Sequence, residues 1–378
     1  MPGSRNRSFR RHLPILTFGV LALALAGCST SSNVATERTI APENLEVAKR
    51  KTLAMVEFTG EAGGRLSRRL AKRLARVRID GERLFAITGP VALRAGGDRE
   101  IDEVGSAEAL ELARNLGVRA VIQGRATLRK DTDFDVPVTE SACVKRSSKN
   151  KKRCIERQTL IIHCAELSVA LKYNVLALET TGGRLIYDPG VKRLVERHRD
   201  CVRYPAEQAY AAVERLEDKL EEAAGELRSV LLAEAVDRIH HDIAPYTKTF
   251  AVTFLTEPDV LAGAPAERFA VAADLIKDRR FRAGCRIWRG MVEAGRHDPA
   301  LTYNLAACAE QDENYGVARQ FYALTQRHAD GLQARAGGED RTYSYEDWSK
   351  LVAMAQERVG LLHRSQQAIN VLRAEPLP

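Results

Sequence analysis

The 378-residue sequence lacks the short motifs that mark the common enzyme classes. It contains no Gly-x-Ser-x-Gly nucleophile elbow, Walker phosphate loop, dinucleotide-binding fingerprint or His-Glu-x-x-His zinc motif. The tightest cluster of potential ligands is His240-His241-Asp242, where adjacent helical residues point about 100° apart, so we expect two solvated histidines at a helix end. The sequence therefore predicts a protein that is not an enzyme, with no catalytic residue, metal or cofactor.

Long apolar runs and dense cysteine are also missing. The run from Leu13 to Ala26 has about 14 residues, fewer than the roughly 20 that a membrane-spanning helix needs. Seven cysteines are too sparse for a disulfide miniprotein, and 45% apolar residues are too many for a disordered chain. The composition fits a folded protein of two or three domains.

The N-terminus has the features of a bacterial lipoprotein signal peptide. Residues 1–27 carry four arginines and no acid, and the apolar run ends in Leu25-Ala26-Gly27-Cys28. These residues resemble a lipobox, in which the cysteine is acylated and becomes residue one of the mature chain. Ser29 in place of Asp implies outer-membrane sorting, so we expect an anchored periplasmic protein with a polar tether over 28–48. The alternative is an ordinary cleaved signal peptide with an incidental cysteine.

The net charge of +8 suggests nucleic-acid binding at first, but half of this charge belongs to the signal peptide. Without residues 1–27 the formal charge is +4. Because an anchored periplasmic protein does not meet nucleic acid, we expect its partners to be the membrane, through the anchor, and envelope proteins. Lipidation of Cys28 also explains the odd cysteine count, since six cysteines remain to pair.

Hydrophobic periodicity predicts an α+β protein whose first domain, over 49–257, is built on a sheet. Its first half has the order β-α-β-α-β, with strands at 52–58, 84–88 and 119–127. A strand-rich stretch over 159–178 follows and is long enough to project beyond the sheet. Further segments are a turn at Thr180-Thr181-Gly182-Gly183, a strand over 184–191, a helix over 206–243 and a closing strand over 249–255.

Several of these segments resemble the periplasmic domain of the curli-secretion lipoprotein family. The resemblance rests on 52–58, on Ala120-Val121-Ile122-Gln123-Gly124 after Leu116-Gly117-Val118, and on the hairpin from Leu178 to Tyr187. A similar α/β domain occurs in lipoprotein activators of penicillin-binding proteins and in the N-terminal domain of the Tol system's periplasmic protein. The resemblance implies a non-enzymatic scaffold or adaptor in envelope assembly or secretion.

Two other functions stay open at this point: an activator of a cell-wall synthase and an oligomeric export channel. In the curli channel, hairpins inserted at about 128–160 and 185–203 form the pore, and each membrane strand alternates apolar residues over about 9–11 positions. Here the second insertion contains Lys192, Arg193, Glu196, Arg197, Arg199 and Asp200. It has no lipid face, which disfavours a pore and the homo-oligomer that a pore requires.

Two cysteines test the predicted hairpin. Opposed residues in an antiparallel pair have a constant sum of sequence numbers, and Cys164 and Cys201 lie symmetrically about the Gly182-Gly183 turn. We therefore expect them to face each other and form a disulfide in the oxidising periplasm. Metal binding, with His163 beside Cys164, is the alternative, and no Cys-x-x-Cys spacing supports it.

The other four cysteines suggest two more disulfides. Cys143 and Cys154 flank a basic loop and can close the neck of the projecting hairpin. Cys285 and Cys308 lie on adjacent predicted helices and can link them.

The chain beyond the linker from Pro258 to Pro265 repeats with a period of 34 residues. Asp278-Arg279-Arg280-Phe281 aligns with Asp312-Glu313-Asn314-Tyr315, and the same offset aligns Phe269 with Tyr303, Ala272 with Ala306, Gly284 with Ala318 and Trp288 with Tyr322. This pattern resembles the tetratricopeptide repeat. We expect an all-α module with repeats over 265–330 and a capping helix and tail over 331–378. An unrelated four-helix unit is the alternative.

The loop between Cys143 and Cys154 concentrates positive charge. Its basic residues are Lys145, Arg146, Lys149, Lys151, Lys152 and Arg153. We expect them to contact an anionic partner, such as lipid headgroups, lipopolysaccharide phosphate or an acidic protein surface. The alternative is a simple exposed loop. A second basic set begins at Arg65 and is expected to be the solvated face of a helix whose leucines pack on the sheet, with contact to anionic lipid as its alternative.

Overall fold

The computed structural model describes residues 31–91, 104–335 and 342–374. The predicted signal peptide and the lipidation site Cys28 lie outside the described residues. The structure is mixed α+β, with an N-terminal sheet domain and a C-terminal helical region. Its described residues fall into two compact units: a sheet unit, 37–250 with 360–374, and a helical unit, 31–36 with 251–359.

The secondary structure follows the predicted order, with a strand and a short helix added at the N-terminal end and a small hairpin added before the second predicted strand. The strands are β1 (Ser31–Ile40), β2 (Thr52–Val56), β3 (Arg78–Ile79), β4 (Glu82–Arg83), β5 (Ala86–Val91), β6 (Ala120–Phe134), β7 (Val138–Arg146), β8 (Cys154–Glu179), β9 (Leu185–Tyr187), β10 (Lys192–Pro205) and β11 (Tyr246–Leu255). The helices are α1 (Leu45–Arg50), α2 (Gly63–Leu74), α3 (Val104–Asn115), α4 (Ala209–Ile243), α5 (Ala264–Lys277), α6 (Phe281–Glu293), α7 (Pro299–Gln311), α8 (Tyr315–Arg335) and α9 (Tyr345–Ala374).

In the described part of the chain, seven strands form the main sheet. Five of them follow the order β10-β8-β6-β2-β5, and β7 and β9 also pair with β8. β2 is parallel to β5 and β6, because α2 and α3 lie in the connections between these strands, whereas β6, β7, β9 and β10 run antiparallel to β8. The predicted β-α-β-α-β order is thus β2-α2-β5-α3-β6, and among the described residues of this segment the small β3-β4 hairpin is the one addition.

Helices cover both faces of β2. Leu53 and Met55 belong to the core that contains the predicted leucine stripe of α2, whose members are Leu66, Leu70 and Leu74. The alternate residues Ala54 and Val56 pack instead with Ala109 and Ala113 of α3. The continuous apolar run of this strand follows from its burial on two sides, as is usual for a parallel strand.

The longest strand, β8, has 26 residues, which corresponds to about 85 Å at roughly 3.3 Å per residue. Its basal segment, residues 165–179, pairs with β6, and most of its remaining residues, 154–162, pair with β7. We call β7, the loop 147–153 and residues 154–164 the distal hairpin. On the other edge of β8, β10 pairs with residues 160–173.

Burial differs sharply between the two parts of β8. Every odd-numbered residue of the basal segment from Ala165 to Ala177 is buried, in a core shared with Leu216, Leu220 and Leu231 of α4. In the distal hairpin every residue is exposed or half-buried. The hairpin therefore projects as the sequence predicts, without a hydrophobic core of its own.

The buried stripe of α4 shifts by one residue in the second half of the helix. Leu216, Leu220 and Ala223 are buried in the first half, whereas Val230, one further step along the same stripe, is exposed and Leu231 takes the core position. Since an α-helix has 3.6 residues per turn, a stripe that is followed over several turns drifts around the helix.

The segment predicted as a polar tether and the predicted closing strand pair with each other. Residues 31–40 form β1, which pairs with β11 in a separate two-stranded sheet, and α1 begins at Leu45, capped by the side chain of Asn44. Only Thr36 and Ile40 of β1 are buried. Backbone pairing rather than apolar burial holds this strand, so its polar composition gives little signal.

The helical unit repeats its backbone at the predicted period. The turn after α5 has Arg279 at φ 60°, and the turn after α7 has Glu313 at φ 59°, 34 residues later. In each turn the next residue donates a backbone hydrogen bond back to the helix, Arg280 N to Leu275 O and Asn314 N to Ala309 O, both at 2.8 Å. Four aligned pairs are buried in both copies: Phe269 and Tyr303, Ala272 and Ala306, Gly284 and Ala318, and Trp288 and Tyr322.

Helix α9 is more than the predicted cap. Trp348 is fully buried in the helical unit and donates its indole hydrogen to Asp259 Oδ2 at 3.1 Å. The last turns of the helix belong to the sheet unit, where Ile369 and Leu372 lie in the core. There the buried Lys51 Nζ donates to the carbonyl of Leu372 at 2.7 Å.

Candidate functional site

The disulfides define the distal hairpin. Cys164 and Cys201 are directly opposed in the β8-β10 register and form a disulfide, which confirms the prediction from the hairpin's constant sum. A second disulfide joins Cys143 and Cys154 at the neck of the loop, with a Cα–Cα distance of 5.8 Å. The predicted Cys285–Cys308 disulfide is also present and links α6 to α7.

Backbone hydrogen bonds shape the loop at the tip of the distal hairpin. Ser147 N donates to Arg153 O, and Arg153 N donates to Asn150 O, each at 2.9 Å. The side chain of Asn150 accepts from Lys152 N at 3.0 Å. The loop is therefore a closed turn held at its neck by a covalent bond, and it presents its side chains outward.

All six predicted basic residues of this loop are exposed. The structure brings Lys145, Arg146, Lys149, Lys151, Lys152 and Arg153 together within one turn. Among the described residues, none of the six forms an ion pair with a carboxylate. Arg146 Nη1 does donate to the carbonyl of Lys151, at 3.2 Å, which leaves its charge uncompensated. The tip therefore carries six positive charges without a neutralising partner.

Three cations of the neighbouring strand β10 are paired, in contrast to those at the tip. The segment read from sequence as a second insertion is the edge strand β10, and three of its arginines bind carboxylates across the sheet: Arg197 with Glu166, Arg199 with Asp135 and Arg203 with Glu140. Charge on β10 therefore holds neighbouring strands together, whereas charge at the tip is available to another molecule.

Exposed apolar side chains flank the basic tip, and sequence reasoning did not single them out. Val136 and Val138 are exposed at the far end of the hairpin, and the two that lie beside the tip, Val144 and Ile155, are 50% and 55% exposed. Their signal in the sequence is weak, because isolated valines between charged residues are expected in any strand. Together with the cations they make a surface that can contact both a charged and an apolar group.

The histidine cluster differs from its prediction. His240 is only 4% exposed rather than solvated, and burial, Arg73 and His241 together lower its pKa to about 4. His241 is half-buried and stacks on Tyr246 at 3.9 Å, while Asp242 accepts a hydrogen bond from Tyr187 Oη at 2.7 Å. In the described part of the chain, no group of three or more His, Cys, Asp or Glu side chains is arranged to hold a metal.

Within residues 31–91, 104–335 and 342–374, no helix combines the length and apolar character needed to cross a membrane. No protein-family model matches the chain, and no curated protein matches it. Among solved structures, the chain is similar to a homologue of neuraminyllactose-binding hemagglutinin from Helicobacter pylori. The identity is 10% and the TM-score 0.18, over 53% of this chain and 94% of the other, and so low a score carries no argument about fold or function.

Proposed function

We propose that the protein is a non-enzymatic lipoprotein, anchored in the outer membrane through Cys28, that acts as a periplasmic scaffold or adaptor in envelope assembly or secretion. In this proposal the sheet unit is a curli-assembly-like domain and the helical unit is a tetratricopeptide-like module. The lipobox-like sequence, the three disulfides and the projecting hairpin support the proposal.

The observation that carries the proposal is the distal hairpin. Residues 154–164 extend about 36 Å beyond the basal segment at roughly 3.3 Å per residue. This extension buries no side chain, so it contributes little to the hydrophobic stability of the sheet. The distal hairpin is stabilised by two disulfides and ends in cations that have no ion pair among the described residues, so it is suited to contact with another molecule.

The chemistry of the tip selects an anionic partner. Six uncompensated cations within one turn produce a local positive potential, and each contributes about 1 kcal/mol to attraction toward an anionic membrane surface. Salt screens such a contact, because all six side chains are exposed. Neighbouring Val144 and Ile155 can add a short-range apolar contact once the charges have brought the surfaces together.

Co-sedimentation with lipid vesicles tests this contact. The mature chain carries Cys28→Ser, so that acylation does not attach it to the lipid. We expect binding to phosphatidylglycerol vesicles at low salt and little binding to phosphatidylcholine vesicles. Replacing the six basic tip residues with Gln should lower the partition coefficient at least about tenfold.

A matched variant controls for net charge. Six exposed arginines of the helical unit, also replaced with Gln, remove the same charge far from the tip in sequence: Arg279, Arg280, Arg282, Arg286, Arg289 and Arg296. This variant should retain most of the vesicle binding. An equal loss in both variants, or no loss in the tip variant, would contradict the proposed role of the distal hairpin.

A further inference from the structure

A second basic site lies within the sheet unit, away from the distal hairpin. A shallow cavity of about 290 Å³ opens where the end of α2 meets the end of α4 and the start of β11. Its lining includes Arg73, Arg76, Arg78, His240, His241 and Tyr246. The proposed contact through the distal hairpin does not involve this cavity.

The charges around the cavity are unbalanced. Arg73 Nη2 lies 3.4 Å from Asp237 Oδ1 and forms an ion pair with it. Arg78 Nη1 donates a hydrogen bond to the carbonyl oxygen of Gly81 at 2.7 Å. Arg76 is exposed and, in the described chain, forms no ion pair. Among the described residues, no carboxylate lines the cavity.

Helix dipoles oppose an anion here, but they are too weak to cancel the arginines. The C-terminal ends of α2 and α4 face this region, and each contributes about −0.5 of an elementary charge. The side chains that line the cavity carry three guanidinium groups and no carboxylate, and one of the three, that of Arg73, is paired with Asp237. Asp242 and Glu43 act on His241 from outside the lining, so the positive charge is local to the side of the cavity that Arg76 and Arg78 form.

His240 is the independent sign of a ligand. The side chain is 96% buried and lines the cavity, yet its Nδ1 atom has no hydrogen-bond partner among the described residues. A buried polar atom without a partner is destabilising, so a hydrogen bond from outside the chain would stabilise this side chain. Because Nδ1 is itself buried, a ligand oxygen in the cavity reaches it only after a small movement of the imidazole ring.

We propose that this cavity binds a phosphate group, as a monoester or a phosphodiester. A tetrahedral oxyanion can accept hydrogen bonds from several directions at once, which suits guanidinium groups from two positions, an imidazole and the Tyr246 hydroxyl. Arginine forks match phosphate oxygens in pairs, so Arg76 and Arg78 are the residues expected to hold the ligand.

Titration of the mature Cys28→Ser chain with inorganic phosphate and with glycerol 3-phosphate tests the proposal. We expect saturable binding, followed by calorimetry and by shifts of the His240 ring resonances in NMR spectra. The double substitution Arg76→Gln and Arg78→Gln should weaken binding at least about tenfold, whereas Arg65→Gln, at an exposed position in the first turn of α2, should leave it unchanged. Absence of saturable binding, or equal binding by the double variant, would overturn the proposal.

The source of the phosphate is resolved with the six-Gln tip variant. This variant should bind soluble phosphate as tightly as the parent chain, because the cavity does not depend on the distal hairpin. If its residual binding to phosphatidylglycerol vesicles is lost with Arg76→Gln and Arg78→Gln, the ligand is a lipid headgroup. If soluble phosphate binds and residual vesicle binding does not change, the ligand is a soluble phosphate ester.

Discussion

The basal segment and the distal hairpin include parts of the same strand, yet different forces hold them. In the basal segment, alternate side chains of β8 are buried against α4, whereas the distal hairpin has no buried residue. The disulfide Cys143–Cys154 lies within the distal hairpin, and Cys164–Cys201 joins its last residue to β10. Along β8, covalent links therefore stabilise the part of the strand that has no helix packed against it.

The largest effect on the free energy of unfolding is expected from an apolar substitution in the basal segment, compared with a similar substitution in the distal hairpin. Leu171→Ala removes a fully buried side chain of the basal segment and should lower the free energy of unfolding by about 2–5 kcal/mol. Ile155→Ala removes a side chain that is 55% exposed and should change it by no more than about 0.5 kcal/mol. Urea unfolding followed by circular dichroism measures both, and similar losses would remove the distinction.

Removal of a disulfide tests the covalent half of the comparison. Replacing Cys164 and Cys201 with Ala opens a loop of 37 residues. The unfolded chain then gains conformational entropy, so the free energy of unfolding should fall by about 3–4 kcal/mol. Replacing Cys143 and Cys154 with Ala opens a loop of 11 residues and should lower the free energy of unfolding by about 3 kcal/mol. The same change should speed cleavage of the basic loop by trypsin. An unchanged cleavage rate in the second variant would show that the hydrogen bonds of the turn hold the loop closed without the disulfide.

Acid should destabilise the buried histidine of the sheet unit. The pKa of His240 falls from 6.5 to about 4 on folding, so the unfolded chain binds more protons between these values. The free energy of unfolding should therefore fall as the pH drops from about 6.5 to 4, by roughly 2–3 kcal/mol from this residue. His240→Gln should flatten that part of the pH profile in thermal unfolding; an identical slope in the variant would refute the assignment.

The smallest expected effect concerns surface ion pairs on β10. Arg199 and Asp135 are 60% and 45% exposed, so Arg199→Gln should lower the free energy of unfolding by less than about 1 kcal/mol. Added salt should reduce the difference further. A loss comparable to that of Leu171→Ala would mean that ion pairs contribute as much as the core against α4 to the stability of β8 and β10.

Local pattern predicted much of this structure. The opposition of Cys164 and Cys201 followed from their positions about one turn, and the 34-residue period anticipated the matching turns at Arg279 and Glu313. Both inferences depend on neighbours along the chain, where periodicity and hairpin geometry are reliable.

Long-range contacts could not be predicted in the same way. β1 pairs with β11 more than 200 positions later, and its polar side chains give no sign of that partner. His240 is buried because α2 and the start of β11 pack beside it, and Leu372 is buried in a core formed mainly by residues before position 250. Such burial depends on the tertiary fold, which the composition of a short segment does not encode.

Site-specific crosslinking in cells tests the central claim that the distal hairpin contacts an envelope component. A photoreactive amino acid at Ser148, in the basic loop, is compared with one at Glu226, on the exposed side of α4. We predict crosslinked products from position 148 that disappear when the six basic residues are replaced with Gln, and few from position 226. The same products from both positions, or products only from position 226, would contradict the claim.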